Sequence, residues 1–201
     1  MPSARVLDPD QALIRDVRQA GGDTLKKCYQ CATCSVVCKL APGEKPFPRK
    51  EMLMAQWGDR DKLMADTDIW LCHQCNDCST YCPRGARPGD VLAAVRSYCY
   101  RYYAFPSFMG KALGSPSALI PLILIPIIIL GAMMFAFAPV NPDGSFVFLS
   151  GGVVDFDLML PHSSVDALFV LGNIIIFLFA LIGFRRFWKA LQTGEREKQV
   201  S

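Results

Sequence analysis

Eight of the nine cysteines stand in two short runs that share one internal spacing, C-x2-C-x2-C-x3-C. In chain order the runs are Cys28, Cys31, Cys34 and Cys38, then Cys72, Cys75, Cys78 and Cys82. Thiolates hold [4Fe–4S] clusters with this spacing in two-cluster ferredoxins. Three thiolates at two-residue steps wrap the chain around one corner of a cubane, whereas the fourth lies too far along the turn and reaches the neighbouring cluster.

The spacing therefore predicts two [4Fe–4S] clusters with crossed ligands. Cluster 1 takes three cysteines of the first run and the last of the second, namely Cys28, Cys31, Cys34 and Cys82. Cluster 2 takes three cysteines of the second run and the last of the first, namely Cys72, Cys75, Cys78 and Cys38. The expected chemistry is electron transfer, with no catalytic residue and no substrate site evident in the chain itself.

Zinc and disulfides are the alternative uses of these cysteines. Structural zinc sites use well-separated C-x2-C pairs, and a third cysteine at the same step has no role in a tetrahedral zinc site. Disulfides need an oxidising compartment, and the sequence has no pattern of a cleavable secretion signal. Iron–sulfur ligation fits the spacing better than either alternative.

Charged residues divide the chain into a polar head and an apolar remainder. Residues 1–116 carry 16 Lys or Arg and 12 Asp or Glu, whereas residues 117–184 carry four Asp and no Lys or Arg. A hydrophobic content of 52% distributed in this way indicates a soluble domain joined to a membrane part. A net charge of +3 without a basic block argues against nucleic acid as a partner.

The segments that must position the cysteines have helical patterns. Asp8 and Pro9 are expected to cap and begin an opening helix, and Arg49–Trp57 forms another that Gly58 ends. Pro88 begins a helix after the second run. Because no alternating strand pattern occurs in the head, the predicted fold class is all-α: an α-helical ferredoxin domain followed by a transmembrane helical hairpin.

Two apolar spans, residues 117–138 and 167–184, are long enough to cross a bilayer. Basic residues precede the first span and follow the second, and the loop between them has none. By the positive-inside rule, both termini and the cluster domain are expected on the cytoplasmic side of the cytoplasmic membrane. The predicted divisions are a cluster domain at 1–116, a membrane part at 117–184 with its outer loop at 139–166, and a basic tail at 185–201.

Three residues outside the cluster scheme carry separate expectations. Cys99 is predicted to be a small buried apolar residue. His73 is expected to shape the cluster surroundings, because a Rieske-type centre would need two histidines on one iron. His162, at the outer mouth of the second span, is a candidate ligand for haem or contact for a quinone, and the alternative is an interfacial loop residue. With one histidine near the membrane, the chain cannot build a bis-histidine haem alone.

An aromatic and arginine-rich segment, residues 98–105, precedes the first span. Such a composition next to an apolar span is typical of the membrane interface, where amphipathic rings lie at headgroup level. The alternative is a helix that packs on the cluster domain.

The cysteine runs, together with three flanking motifs, resemble the C subunit of heterodisulfide reductase. These motifs are Phe47-Pro48-Arg49, Ile69-Trp70-Leu71-Cys72 and Cys82-Pro83-Arg84. A membrane part fused after such a module is similar to the C subunits of the quinone-interacting membrane-bound oxidoreductases, the Qmo family of sulfate reducers. That family has more spans, so this sequence is expected to be a truncated sequence or a short variant.

The resemblance implies an electron-transfer role between menaquinone and two flavin-containing partner subunits. In that family the partners serve adenylylsulfate reductase, and the membrane part binds haem b, for which two spans leave most of the usual frame missing. Two other interpretations stay open. One is an iron–sulfur subunit of a heterodisulfide-reductase-type complex or of a respiratory dehydrogenase, and the other is a membrane anchor or assembly subunit without a redox role.

Overall fold

The computed structural model describes residues 8–41, 43, 45–137, 142, 144 and 162–200. No β-strand occurs among the described residues, so the all-α prediction is confirmed. Contacts divide the chain into two units, one comprising Met1–Ala104 and Gly183–Ser201 and the other Phe105–Ile182. The α-helices of the first unit that precede residue 104 are, in chain order, α1 (Gln11–Gln19), α2 (Thr33–Val37), α3 (Arg49–Trp57), α4 (Arg60–Ala65), α5 (Asp77–Thr80) and α6 (Pro88–Tyr103), and two short 3-10 helices are Asp23–Lys27 and Asp68–Trp70.

The opening helix begins two residues later than predicted. Asp10 is its N-cap, because the Asp10 side chain accepts hydrogen bonds from the backbone N–H groups of Ala12 and Leu13 at 2.8 and 3.1 Å. The expectation that Asp8 caps the helix and Pro9 begins it is therefore wrong. Capping is decided by which carboxylate reaches the free amides of the first turn, and here the second aspartate does so.

Helix α3 has the predicted bounds and ends at Gly58, whose φ is +69°. A side chain there would be strained, and a Cβ atom would also lie 2.8 Å from the carbonyl oxygen of Asp10. The close approach lets the Asp10 N–H donate to the Gly58 carbonyl at 3.0 Å. This contact fixes the start of α1 against the end of α3.

One apolar core joins α1, α3, α4 and α6. Burying each large apolar side chain of this kind contributes about 1.5–3 kcal/mol. The core includes Leu13, Val17, Met52, Ala55, Leu63, Ile69, Val91, Leu92 and Val95. Cys28, Cys38, Cys72 and Cys82 pack against its edge. The first and last cysteine of each run are thereby anchored to the rigid part of the unit.

The second unit contains α7 (Ser107–Leu113), α8 (Leu119–Phe137) and the start of α9 (His162–Val200). The stretches Pro116–Ala136 and His162–Gly194 are long and apolar enough to cross a membrane, judged by length and composition.

The helix bounds change two expectations for the membrane part. Residues 162–166 belong to α9, not to the outer loop, and α9 continues through the basic segment to Val200. The remainder of the expected loop, apart from positions 142 and 144, lies outside the described residues. The sidedness of the hairpin and the division at residue 116 stay predictions.

Candidate metal centre

The two cysteine loops share an unusual backbone conformation. Gln30 and Ala32 have φ values of 61° and 67°, and the equivalent Gln74 and Asn76 have values of 65° and 66°. Left-handed φ values cost roughly 1–2 kcal/mol per non-glycine residue, so the surrounding contacts must hold them in place. The matching positions show that the two runs are folded as structural copies of each other.

Each loop leads directly into a short helix that carries the third cysteine of its run. Helix α2 carries Cys34 and helix α5 carries Cys78, and both cysteines are buried. The two helices pack against each other. The third cysteines of the two runs therefore lie on helices that are in contact with each other.

A cavity of about 200 Å³ brings one of the predicted ligand sets together. Its cysteines are Cys38, Cys72, Cys75 and Cys78. The last cysteine of the first run thus lies beside the first three of the second, as the crossed scheme requires for cluster 2. Phe47 and Leu92 supply apolar wall to the same cavity. Four sulfur donors around an apolar space suit an iron–sulfur cluster, which thiolates ligate and a low dielectric tolerates.

The other ligand set is joined by contacts between the flanking segments. The Arg84 guanidinium lies 4.0 Å from the centre of the Tyr29 ring. The backbone N–H of Arg87 donates to Thr24 Oγ1 at 3.0 Å. These contacts place the chain that follows Cys82 alongside the chain around Cys28.

The cysteine thiols are electrostatically coupled. Burial raises the pKa of Cys34 to about 11, with further raising by the charges of Cys28, Cys78 and Cys31. Burial also raises the pKa of Cys78. Several thiolates close together in a low dielectric are unfavourable unless a cation compensates them. A bound metal reverses this effect and deprotonates its thiol ligands, so the arrangement suits metal ligation.

Polar groups already point at several of the sulfurs. Gln30 Nε2 donates to Cys28 Sγ at 3.4 Å, and the Thr33 side chain lies 3.5 Å from Cys31 Sγ. The Thr33 hydroxyl and its backbone N–H lower the pKa of Cys31. Hydrogen bonds to ligand sulfurs are one of the main determinants of iron–sulfur reduction potentials.

The three residues outside the ligand sets lie in different surroundings. Cys99 is 1% exposed, and its Sγ donates to Met64 Sδ at 3.3 Å, so the prediction of a buried apolar role is confirmed. His73 is exposed and lines the cavity beside Cys72. His162 is the first residue of α9 and is exposed, and its role toward haem or quinone stays a prediction.

The aromatic segment before the first span divides its side chains between two environments. Tyr103 donates its hydroxyl to the Met64 carbonyl at 3.2 Å and packs with Tyr98 against the core. Tyr100 and Tyr102 are 68% and 45% exposed. The helix therefore packs on the cluster domain, the alternative in the sequence interpretation, while two of its rings remain accessible.

Sequence reasoning missed an aromatic contact beside the second run. Trp70, two residues before Cys72, lies edge-on to Phe187, with their ring centroids 5.5 Å apart. Phe187 belongs to α9 and follows the second predicted span. Since that span was expected to end before this position, nothing in the sequence paired these two rings.

Comparisons with known proteins agree with this site. Residues 24–86 match the family model of a 4Fe-4S dicluster domain. The chain is 30% identical over 106 residues to the C subunit of the H(2):CoB-CoM heterodisulfide,ferredoxin reductase of Methanothermobacter marburgensis, covering 53% of this chain and 57% of that protein. It is 33% identical over 100 residues to a protein of Archaeoglobus profundus described as like the C subunit of heterodisulfide reductase, covering 49% and 53%.

A third relative is the iron-sulfur C subunit of the CoB--CoM heterodisulfide reductase of Methanopyrus kandleri, 31% identical over 91 residues and covering 44% of each chain. The matched part spans about half the length of these curated relatives. The homologues are thus iron–sulfur subunits of heterodisulfide-reductase-type complexes.

Proposed function

We propose that this chain is the iron–sulfur subunit of a heterodisulfide-reductase-type complex, in which two [4Fe–4S] clusters conduct electrons between partner proteins or cofactors. The observation that carries the proposal is the cavity shared by Cys38, Cys72, Cys75 and Cys78. Cluster 2 is assigned to these four residues, and cluster 1 to Cys28, Cys31, Cys34 and Cys82. Each set combines residues from both runs, so the clusters hold the two halves of the domain together.

The arrangement suits conduction because the two sets approach each other through Cys34 and Cys78. Cys34 lies on α2 and Cys78 on α5, and these two helices pack against each other. Clusters held on either side of this pair would exchange electrons with each other. The protein supplies positions and surroundings, while the redox change belongs to the clusters.

The outer edges of both sets are accessible to partners. Cys31 and Cys75 are exposed, and the nearby Tyr29 and Tyr81 are 67% and 63% exposed. Aromatic side chains that remain exposed beside a redox centre offer contact area to a docking protein. Flavin-containing subunits are proposed as these partners, as the resemblance to heterodisulfide-reductase and quinone-interacting complexes implies.

The two apolar helical stretches favour a membrane-attached version of this subunit that exchanges electrons with menaquinone. The Trp70–Phe187 contact supports this extension, because it joins a residue just before the cluster-2 ligands to the helix that contains the second stretch. An onward path to adenylylsulfate reductase rests on the Qmo resemblance alone, because the relatives found are C subunits of heterodisulfide reductases or are described as like such a subunit.

Chemical reduction of the purified membrane complex distinguishes a subunit that exchanges electrons with menaquinone from one that exchanges them only with proteins. With the clusters in place, a menaquinol analogue in proteoliposomes should bleach their visible absorption, as dithionite does. Bleaching by dithionite and by a reduced ferredoxin, but not by the quinol, would remove the quinone link and leave a subunit with a protein donor at one end and a protein acceptor at the other. Absence of bleaching by any reductant would favour a membrane anchor or assembly subunit.

A further inference from the structure

Four ionisable side chains meet in the interior of the first unit. The ammonium of Lys50 lies 2.9 Å from Asp66 Oδ2, 3.0 Å from Asp68 Oδ2 and 3.2 Å from Glu51 Oε1. The three carboxylates lie within 4.8 Å of one another and are buried. Such a triad has the composition of a metal site, but Lys50 occupies the position that a cation would take, so the group is not a metal site.

Glu51 is the most secluded member of this group. Its side chain is 0% exposed, and Oε2 has no hydrogen-bond partner among the described residues. The charged groups beside it are Lys50 from its own helix, Asp66 from the end of α4, and Asp68. Three other elements pack on α3, namely α1, α6 and the 3-10 helix Asp23–Lys27. The residues that these elements bury are uncharged, and they include Thr24 and the Cys99 thiol.

Two of the chain segments that line the cluster-2 cavity also carry members of this group or lead from it. Pro48 lines the cavity and caps α3, and Glu51 follows three residues later, about 4.5 Å along the helix axis. Asp68 begins the 3-10 helix Asp68–Trp70, which leads to Cys72. Glu51 therefore lies one helical turn from a residue of the cavity wall. At an effective dielectric of about 20, a unit charge roughly 10 Å away shifts a carboxyl pKa by about one unit.

Burial raises the pKa of Glu51 to about 7, against the lowering by Lys50 and with further raising by Asp66. The carboxyl therefore holds its proton more readily than an exposed glutamate does. A negative charge added in the cavity would shift it further toward the protonated form.

We propose that Glu51 is a redox-linked proton site, which binds one proton when cluster 2 accepts one electron. The electron comes from a reduced flavin or quinol, the proton comes from water, and the Glu51 carboxylate becomes a carboxylic acid. The added negative charge is thereby compensated inside the protein, and reoxidation releases the proton. This inference rests on the proposed function to the extent that cluster 2 must be present.

The test is a redox titration of cluster 2 between pH 5.5 and 9, monitored by electron paramagnetic resonance on the full-length protein. In the wild type, the midpoint potential should fall as the pH rises across the neutral range. The total fall should correspond to about a tenfold change in the reduction equilibrium, which is 59 mV for one electron. The isosteric Glu51→Gln variant should lose this pH dependence. The matched control Asp61→Asn, whose side chain is 69% exposed, should keep it.

Infrared difference spectra of reduced minus oxidised wild-type protein give a second measurement that does not depend on a variant folding. They should show a protonated carboxyl band that shifts on labelling with 13C-glutamate. A Glu51→Gln variant that keeps the wild-type pH dependence, or a wild type without the labelled band, would overturn the inference. Iron content is measured on the same samples, so a protein without clusters contradicts the proposed function, whereas a clustered protein with a pH-independent potential contradicts only the role of Glu51.

Discussion

The guanidinium of Arg84 lies over the ring of Tyr29, 4.0 Å from its centroid. Arg84 follows Cys82 by two residues, and Tyr29 follows Cys28 by one. The contact therefore joins the end of the second cysteine run to the beginning of the first. The cavity in turn joins Cys38 to the second run. Each of the two predicted ligand sets is therefore supported by its own contact between the runs.

The crossed ligands predict reciprocal effects of substitution. Cys82→Ser should damage the cluster that Cys28, Cys31 and Cys34 hold, because it removes the fourth ligand supplied by the other run. Its matched counterpart, Cys38→Ser, should damage the other cluster. Electron paramagnetic resonance of each variant, compared with Cys31→Ser and Cys75→Ser as references, identifies the cluster affected.

If Cys82→Ser instead gave the spectrum of Cys75→Ser, each run would hold its own cluster. The shared-ligand assignment would then be wrong, although the presence of two clusters would be unaffected.

The hydrogen bond from Gln30 to Cys28 Sγ predicts a change of potential. Donation to a ligand sulfur stabilises the more negative reduced cluster, so Gln30→Asn, which shortens the side chain, should lower the potential of cluster 1. A hydrogen bond of about 1 kcal/mol corresponds to roughly 40 mV for one electron. The equivalent Gln74 donates to the Gly89 carbonyl at 3.0 Å, not to a sulfur, so Gln74→Asn is the matched control.

Asn tolerates left-handed φ values, and the backbone at both positions should therefore be preserved. An unchanged cluster-1 potential in Gln30→Asn would show that this hydrogen bond does not tune the cluster.

The ion group around Lys50 predicts a large loss of stability on its removal. Lys50→Met leaves three carboxylates without the ammonium that contacts each of them, and removing one partner of a buried ion pair costs about 3–5 kcal/mol. The thermal midpoint of the detergent-solubilised protein should fall by at least ~6 °C. Lys62→Met, on the exposed side of α4, should change it by less than about 2 °C. Equal midpoints for the two variants would mean that the group contributes little.

The dicluster domain and several helices could be predicted from the sequence because their signals are local. Cysteine spacing determines which thiolates reach one cubane, and the glycine at position 58 marks the end of α3 within one turn of the helix. The opening helix was misplaced because two aspartates compete for the same cap and only the folded chain shows which carboxylate reaches the amides.

Contacts between distant residues could not be predicted in this way. Lys50 and Asp68 are 18 residues apart, and isolated charges of this kind are typical of a solvated surface. The left-handed backbone at Gln30 and Ala32 was also hidden, because neither residue type favours it and the surrounding fold imposes it.

Membrane topology predicts the accessibility of two engineered cysteines. The predicted hairpin orientation would place Ser145 outside and Ser201 in the cytoplasm, because Arg185, Arg186 and Lys189 follow the second span. Moving each of these charges through the bilayer centre would cost about 2.5–3.5 kcal/mol. In intact cells, a membrane-impermeant thiol reagent should label Ser145→Cys and should not label Ser201→Cys. The reverse pattern would invert the orientation and move the cluster domain away from the proposed cytoplasmic partners.

The metal and sulfide content of the purified protein tests the central claim most directly. Anaerobic purification from membranes, followed by elemental analysis and acid-labile sulfide determination, should give about eight iron and eight sulfide per chain, from two cubanes with four cysteine ligands each. The preparation should be brown and should bleach on reduction. About two zinc per chain, with little iron and no labile sulfide, would contradict the account, because the eight cysteines would then hold structural metal without a redox function.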